Sequence, residues 1–176
     1  MFVIHRSVDL DFAHHVRGHL GACINLHGHT WKFEVGCGAE FLDPQGFVVD
    51  FGDLSQRILK PCEALLDHSL AVGEDTYFDV ETLLKPIGEK LLESRKVVHG
   101  HLGEESFPEL CLEGAQLKYP GGLKVAVFPF TPTSERLAQW LYSLAHRQLA
   151  NDRVSIVYTR IYETLHPVES VAEYRP

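Results

Sequence analysis

Phe2-Val-Ile-His-Arg-Ser-Val-Asp-Leu-Asp-Phe-Ala-His14 alternates along its length. Phe2, Ile4, Val8, Leu10 and Phe12 share one parity, and His5, Ser7, Asp9 and Asp11 the other. A period of two with one apolar side is the signature of a half-buried strand. His14 continues the apolar parity, so the strand delivers an imidazole to the packed side at its end. Residues 15–26 carry glycines and no period, and read as a loop. From 27 to 36 the alternation returns, with Trp31, Phe33 and Val35 facing one way and Lys32 and Glu34 the other. His27 and His29 share the apolar parity. Two successive strands thus aim His14, His27 and His29 at one interior side, provided no bulge intervenes to flip a face.

The 176 residues suit one domain, 1–176, large enough to need no disulfide staples. Apolar content of 45% and charged content of 23% are ordinary for a globular protein. A net charge of −8 argues against a nucleic-acid partner. It leaves a phosphorylated substrate open, because a bound cation supplies local positive charge. Four scattered cysteines, at 23, 37, 62 and 111, read as reduced thiols rather than a disulfide framework. No run approaches the length of a membrane span, and the first residues show no cleavable leader pattern. The expectation is a soluble, cytoplasmic chain with no membrane partner.

Further along, Asp43-Pro-Gln-Gly46 signals a turn. Leu54, Ile58, Cys62 and Leu65 form the stripe of a helix that Asp50 or Asp53 can cap and Pro61 should kink, ending near Leu66-Asp67-His68. Val80 to Glu93 reads as helical although Pro86 intrudes, and 94–122 as loop. Lys124–Phe128 is a short strand. Thr131 and Pro132 have the chemistry of an N-cap and first helical position, followed by the stripe Leu137, Trp140, Leu141 and Leu144. A last strand ends at Glu163. His99-Gly-His101-Leu-Gly103 echoes the earlier His-Gly pairs, but no longer repeat surrounds it, and it reads as chance. The element order predicts an α+β domain with largely antiparallel strands and helices on one face.

The chemistry gathers in Cys23-Ile-Asn-Leu-His27-Gly-His29. Two histidines two apart on a strand can present both imidazoles to one ion, with His14 as a third; the alternative is that His14 and His27 are hydrogen-bonded histidines at strand ends. Zinc is the natural metal for neutral imidazoles, although iron and nickel also accept them. Three protein ligands leave an open position, and open zinc sites do chemistry. Cys23 has three readings: a fourth ligand closing a structural site, a small buried hydrophobe, or a reactive thiol beside the metal. Cys37, Cys62 and Cys111 lack clustered partners and read as filler. In Asp67-His68 a carboxylate adjoins an imidazole whose tautomer it can fix. Glu163 is either solvated or a carboxylate that accepts two N–H donors from a flat heterocycle.

Together with Asp11-Phe-Ala-His14, Val49-Asp50-Phe51-Gly-Asp53-Leu54, Leu66-Asp67-His68, Pro132-Thr-Ser-Glu135 and Tyr162-Glu163-Thr164, the chain resembles the 6-pyruvoyl-tetrahydropterin synthase superfamily. The resemblance covers roughly residues 1–70 and 124–176. The three residues between Cys23 and His27 match its queuosine-pathway branch, the 6-carboxytetrahydropterin synthases. The resemblance implies the tunnelling fold, a four-stranded antiparallel sheet with helices on one face that oligomerises into a barrel. Hexamers are usual, and active sites lie between subunits. It implies zinc on His14, His27 and His29, Cys23 as the proton-abstracting thiolate, Asp67 and His68 as the acid–base pair, and Glu163 as the pterin anchor with Thr133 nearby. The implied substrate is 7,8-dihydroneopterin triphosphate. The sequence departs from the pattern at Leu10, where Phe is common, and at His15, where Arg is common; parity selects His14 over His15 as ligand. Residues 71–123 form an inserted helix and loop region.

Overall fold

In the computed structural model, which describes residues 1–100, 106–164, 166 and 169–176, the two alternating stretches form one long hairpin. Strand β1 (Phe2–His14) runs antiparallel to β2 (His27–Ala39), in unbroken register from Phe2 opposite Ala39 to His14 opposite His27. No bulge interrupts this pair, so the parity expected from the sequence holds to the last residue. Leu10, Phe12, Trp31, Phe33, Val35 and Cys37 are buried on one side.

Against that side lie two helical segments. The first comprises α1 (Phe51–Leu54), a π-helical turn over Ser55–Leu59, and α2 (Lys60–Leu66). Asp50 caps it by accepting the Gly52 N–H. Pro61 does not break the helix. The wider turn directly before it takes up the mismatch left by the missing N–H, a common way for a helix to tolerate an interruption. The second segment is α4 (Ser134–Leu149), which buries Leu137, Trp140, Leu141 and Leu144 as its stripe predicts. Its N-cap is Thr133, whose hydroxyl accepts the Arg136 N–H, rather than Thr131. Pro132 lies ahead of the helix, and its carbonyl is used elsewhere.

Among the described residues the sheet has eight strands, not four, in the order β4-β5-β6-β3-β1-β2-β7-β8. The antiparallel set β1-β2-β7-β8 matches the expected four-stranded sheet, with β7 at Ser155–Thr164 and an unanticipated β8 at Ser170–Tyr174. Four more strands extend it beyond β1: β3 (Leu70–Gly73), β6 (Val125–Phe128), β5 (Ala115–Lys118) and β4 (Cys111–Leu112). The β1–β3 and β3–β6 pairs are parallel. A parallel return needs a crossover, which α3 (Glu74–His99) provides. This helix exceeds the expected Val80–Glu93 and carries Pro86 in its interior.

Helices therefore cover both faces of the added strands. Ala71, Ala126 and Phe128 join the core beneath α2 and α4, whereas Val72, Val125 and Val127 pack with Tyr77 of α3. The continuous apolar runs Leu70–Val72 and Val125–Phe128 express that two-sided burial. Helix α3 docks closely on the turn Pro120–Gly122, where a Cβ at Gly88 would stand 2.5 Å from the Pro120 carbonyl oxygen. His99 closes the helix; His101 and Gly103 of the histidine–glycine echo lie outside the described residues. Among the described residues, no helix is long and apolar enough to cross a membrane.

Candidate metal centre

The ends of β1 and β2 bring the three histidines together. His14 and His27 are direct cross-strand partners, and His29 pairs with Phe12 one step along the same face. Ring centroids lie 4.6 Å apart for His14–His27, 4.9 Å for His27–His29 and 5.6 Å for His14–His29. Trp31 forms the floor, edge-on to both His14 and His29 and stacked on Phe12. Its indole N–H donates to the Phe12 carbonyl, fixing the ring.

Two of the outer nitrogens are held by backbone carbonyls. His14 Nδ1 lies 3.0 Å from the Pro132 carbonyl oxygen, and His27 Nδ1 lies 2.8 Å from that of Asn25. A carbonyl only accepts, so both Nδ1 atoms carry the proton and both Nε2 atoms present lone pairs. Those two Nε2 atoms face each other at 3.1 Å. Among the described residues, His29 Nε2 is buried without a hydrogen-bond partner. Burial holds His14 below its ordinary pKa, against the raising influence of the Pro132 carbonyl and Glu163, and burial likewise depresses His29. Two Nε2 lone pairs facing one volume, with a third buried Nε2 unpartnered beside them, make an arrangement that a cation satisfies.

Glu163 completes the group. Its Oε1 lies 3.5 Å from His14 Nε2 and 3.6 Å from His29 Nε2. One ligand atom from each of His14, His27, His29 and Glu163 falls within 4.8 Å of all the others. Glu163 lies near the end of β7, two residues past the buried Ile161 and at the point where the β7–β8 register shifts between Tyr162 and Thr164. Its Oε2 accepts the Ser134 hydroxyl at 3.1 Å. The resemblance implied Thr133 near the pterin anchor; the hydrogen bond to Glu163 comes from its neighbour Ser134, while the Thr133 hydroxyl caps α4. The Ser in Pro132-Thr-Ser-Glu135 offers a hydroxyl, but nothing local ties it to a strand end 29 residues later.

Cys23 sits half-buried on a single helical turn, Ala22–Ile24, and its carbonyl accepts the Val16 N–H at 3.1 Å. It is not among the four clustered donors. Cys37 and Cys62 are buried in the core, where desolvation pushes the Cys37 thiol up to about 12 and raises Cys62 as well; Cys111 is exposed.

Asp67 and His68 occupy a turn clamped to the outer edge of β1. The His68 N–H donates to the Asp11 carbonyl at 2.7 Å, the Asp11 N–H to Asp67 Oδ1 at 3.1 Å, and the Ala13 N–H to the Ser69 carbonyl at 3.0 Å. His68 Nδ1 lies 2.8 Å from Asp67 Oδ2, the geometry that orients an imidazole and sets its tautomer. Burial pushes the Asp67 carboxyl up, but the Asp11 N–H, His68 and Lys124 together hold it below its ordinary value. His68 is left-handed at φ 55°, a strained conformation for a non-glycine residue, and its side chain is 80% exposed. The His68 ring thus faces outward, and neither residue is among the four clustered donors.

Comparison with known proteins follows the same lines. The family described as "6-pyruvoyl tetrahydropterin synthase" matches residues 3–176. A Rickettsia typhi protein named 6-carboxy-5,6,7,8-tetrahydropterin synthase is 30% identical over 113 residues, 61% of this chain and 82% of its own. Its Aquifex aeolicus namesake is 27% identical over 157 residues, 87% of this chain and 75% of its own. Among solved structures, the uncharacterised Wolinella succinogenes protein WS1659 superposes with a TM-score of 0.67 at 22% identity, covering 99% of this chain and 97% of that one. The 6-pyruvoyl tetrahydropterin synthase of Plasmodium vivax gives 0.54 at 13% identity over the full length of both. At those identities the superpositions speak to the fold.

Proposed function

The chain belongs to the 6-pyruvoyl tetrahydropterin synthase family, and from that premise we propose that it is a zinc-dependent lyase of the 6-carboxytetrahydropterin branch. It converts 7,8-dihydroneopterin triphosphate to 6-carboxy-5,6,7,8-tetrahydropterin, releasing acetaldehyde and triphosphate, and serves queuosine (7-deazaguanine) biosynthesis in the cytoplasm. The names of the curated relatives support the pterin chemistry. The observation that carries the metal is the convergence of three imidazole Nε2 atoms, one of them orphaned and two facing each other at 3.1 Å.

His14, His27 and His29 would hold the zinc. Bound there, zinc supplies Lewis acidity toward the substrate's side-chain oxygens and makes the neighbouring C–H groups more acidic. Cys23, as thiolate, removes such a proton. Asp67 fixes the His68 tautomer through Nδ1, leaving Nε2 to return or relay a proton. Glu163 anchors the flat pterin edge by accepting paired N–H donors, and Ser134 steadies that carboxylate.

The outward stance of Asp67 and His68 supports a site assembled between chains, one contributing the imidazoles and another the acid–base pair. A homohexamer built as a barrel accommodates this. Residues 71–123 then act as an insertion on a single 1–176 domain. Metal analysis combined with product identification on dihydroneopterin triphosphate tests the proposal. Stoichiometric zinc with acetaldehyde and a carboxypterin is expected. A pyruvoyl-pterin product would move the chain to the sister activity, and zinc without turnover would make it a pterin- or zinc-binding protein. His27→Ala should lose zinc and turnover together, whereas full zinc in that variant contradicts the ligand assignment.

A further inference from the structure

We propose that Glu163 is a fourth, exchangeable metal ligand in the substrate-free protein, and that capture of the pterin ring draws it off and opens the coordination position. This rests on the zinc site proposed above. A tetrahedral zinc with bonds of about 2.0–2.1 Å holds its donor atoms roughly 3.3–3.4 Å apart. The His14–His27 Nε2 separation is 3.1 Å, and Glu163 Oε1 stands 3.5 Å from His14 Nε2 and 3.6 Å from His29 Nε2. Three edges of the four-donor group therefore match the edges of such a tetrahedron within a few tenths of an ångström. The remaining edges stay within 4.8 Å. Cys23, the other candidate for this place, is outside the group.

Both Glu163 oxygens are engaged in this arrangement, Oε1 at the imidazoles and Oε2 with the Ser134 hydroxyl. Accepting two parallel N–H donors from a flat heterocycle requires both oxygens on one edge. One carboxylate cannot point Oε1 at the metal and offer that edge to a ring at once. Ligation and ring binding are thus alternatives, and the residue that recognises the ring is the residue whose departure frees the metal. The inference ties metal accessibility to correct substrate: without a ligand carrying the paired N–H edge, the site stays four-coordinate and closed to adventitious small molecules.

The test uses the full-length cobalt(II)-substituted protein, read by visible absorption, and zinc affinity from chelator competition. The substrate-free protein should show the intense bands of four-coordinate cobalt. Addition of an unreactive oxidised pterin should shift them. Glu163→Ala should bind zinc at least about tenfold more weakly, with the cobalt spectrum altered before any pterin is added. Glu163→Gln, which keeps the shape and the Ser134 contact, provides the same reading if the alanine variant folds poorly. Zinc affinity and cobalt bands unchanged in both variants would overturn the proposal while leaving the three-histidine site standing. The parallel His27→Ala measurement reports on that site separately.

Discussion

Replacing His29 by Phe should make the metal-free protein more stable while abolishing its response to zinc. His29 Nε2 is buried and unpartnered without a cation, and an unsatisfied buried polar atom costs about 1–3 kcal/mol. A quarter of the side chain is still exposed, so the low end applies, about 1 kcal/mol. Phe retains the edge-on ring contact with Trp31 that His29 makes at 5.4 Å. For a chain of this size 1 kcal/mol moves the melting temperature by about 2–4 °C. Zinc at a hundredfold excess over its Kd stabilises the wild type by about 2.7 kcal/mol, or roughly 5–11 °C. Thermal melts at one fixed protein concentration, in chelator and in excess zinc, should therefore cross over: the variant melts above wild type in chelator and below it in zinc. A variant that keeps the full zinc shift refutes the ligand assignment. One that melts lower than wild type in chelator refutes the reading of Nε2 as an unmet acceptor.

Cys23→Ala should retain stoichiometric zinc and the fold but lose roughly 10²–10⁴-fold in turnover, as single-turnover product formation would show. Gly36→Ala should destabilise by about 1–3 kcal/mol in urea titrations, because the new Cβ runs into the Tyr158 ring, itself held under the Arg160 guanidinium at 4.3 Å. His14 and His29 are depressed below their ordinary value of 6.5 by burial, so the unfolded chain takes up protons first on acidification. Metal-free stability should accordingly be complete above pH 6.5 and fall as the pH drops below it toward the folded values, which denaturation at pH 7.5 and pH 5.5 would register.

Where the chain alternates cleanly, the sequence was sufficient. The β1–β2 hairpin, its buried face and the shared aim of His14, His27 and His29 follow from parity alone, because no bulge disturbs the register. The helical stripe of Leu137, Trp140, Leu141 and Leu144 was equally plain. Of the added strands only β6 was, as the short strand Lys124–Phe128. Ala115–Lys118 and Cys111–Leu112 are too short to establish a period, and their pairing with β6 and with each other is a tertiary fact. The apolar runs at 70–72 and 125–128 are buried on both faces, a state that a one-sided pattern cannot announce. Pro86 and Pro61 suggested breaks that the folded chain absorbs within helices. In the site, the neighbourhood of Glu163 and Ser134 joins a strand end to a helix start 29 residues earlier, a meeting with no local signal.

His14 belongs to both halves of the sheet. It pairs with His27 on one flank and with Ala71 on the other, and its Nδ1 proton rests on a carbonyl just past the last of the added strands. The seam between β1 and β3 is only two residues wide, Ala13 and His14. The extra strands, which look like ornament when the chain is read end to end, therefore serve as a vice on one imidazole. Trimming them from this chain would strip the far flank of His14 at Ala71 and leave the ring leaning on the Pro132 carbonyl alone on that side.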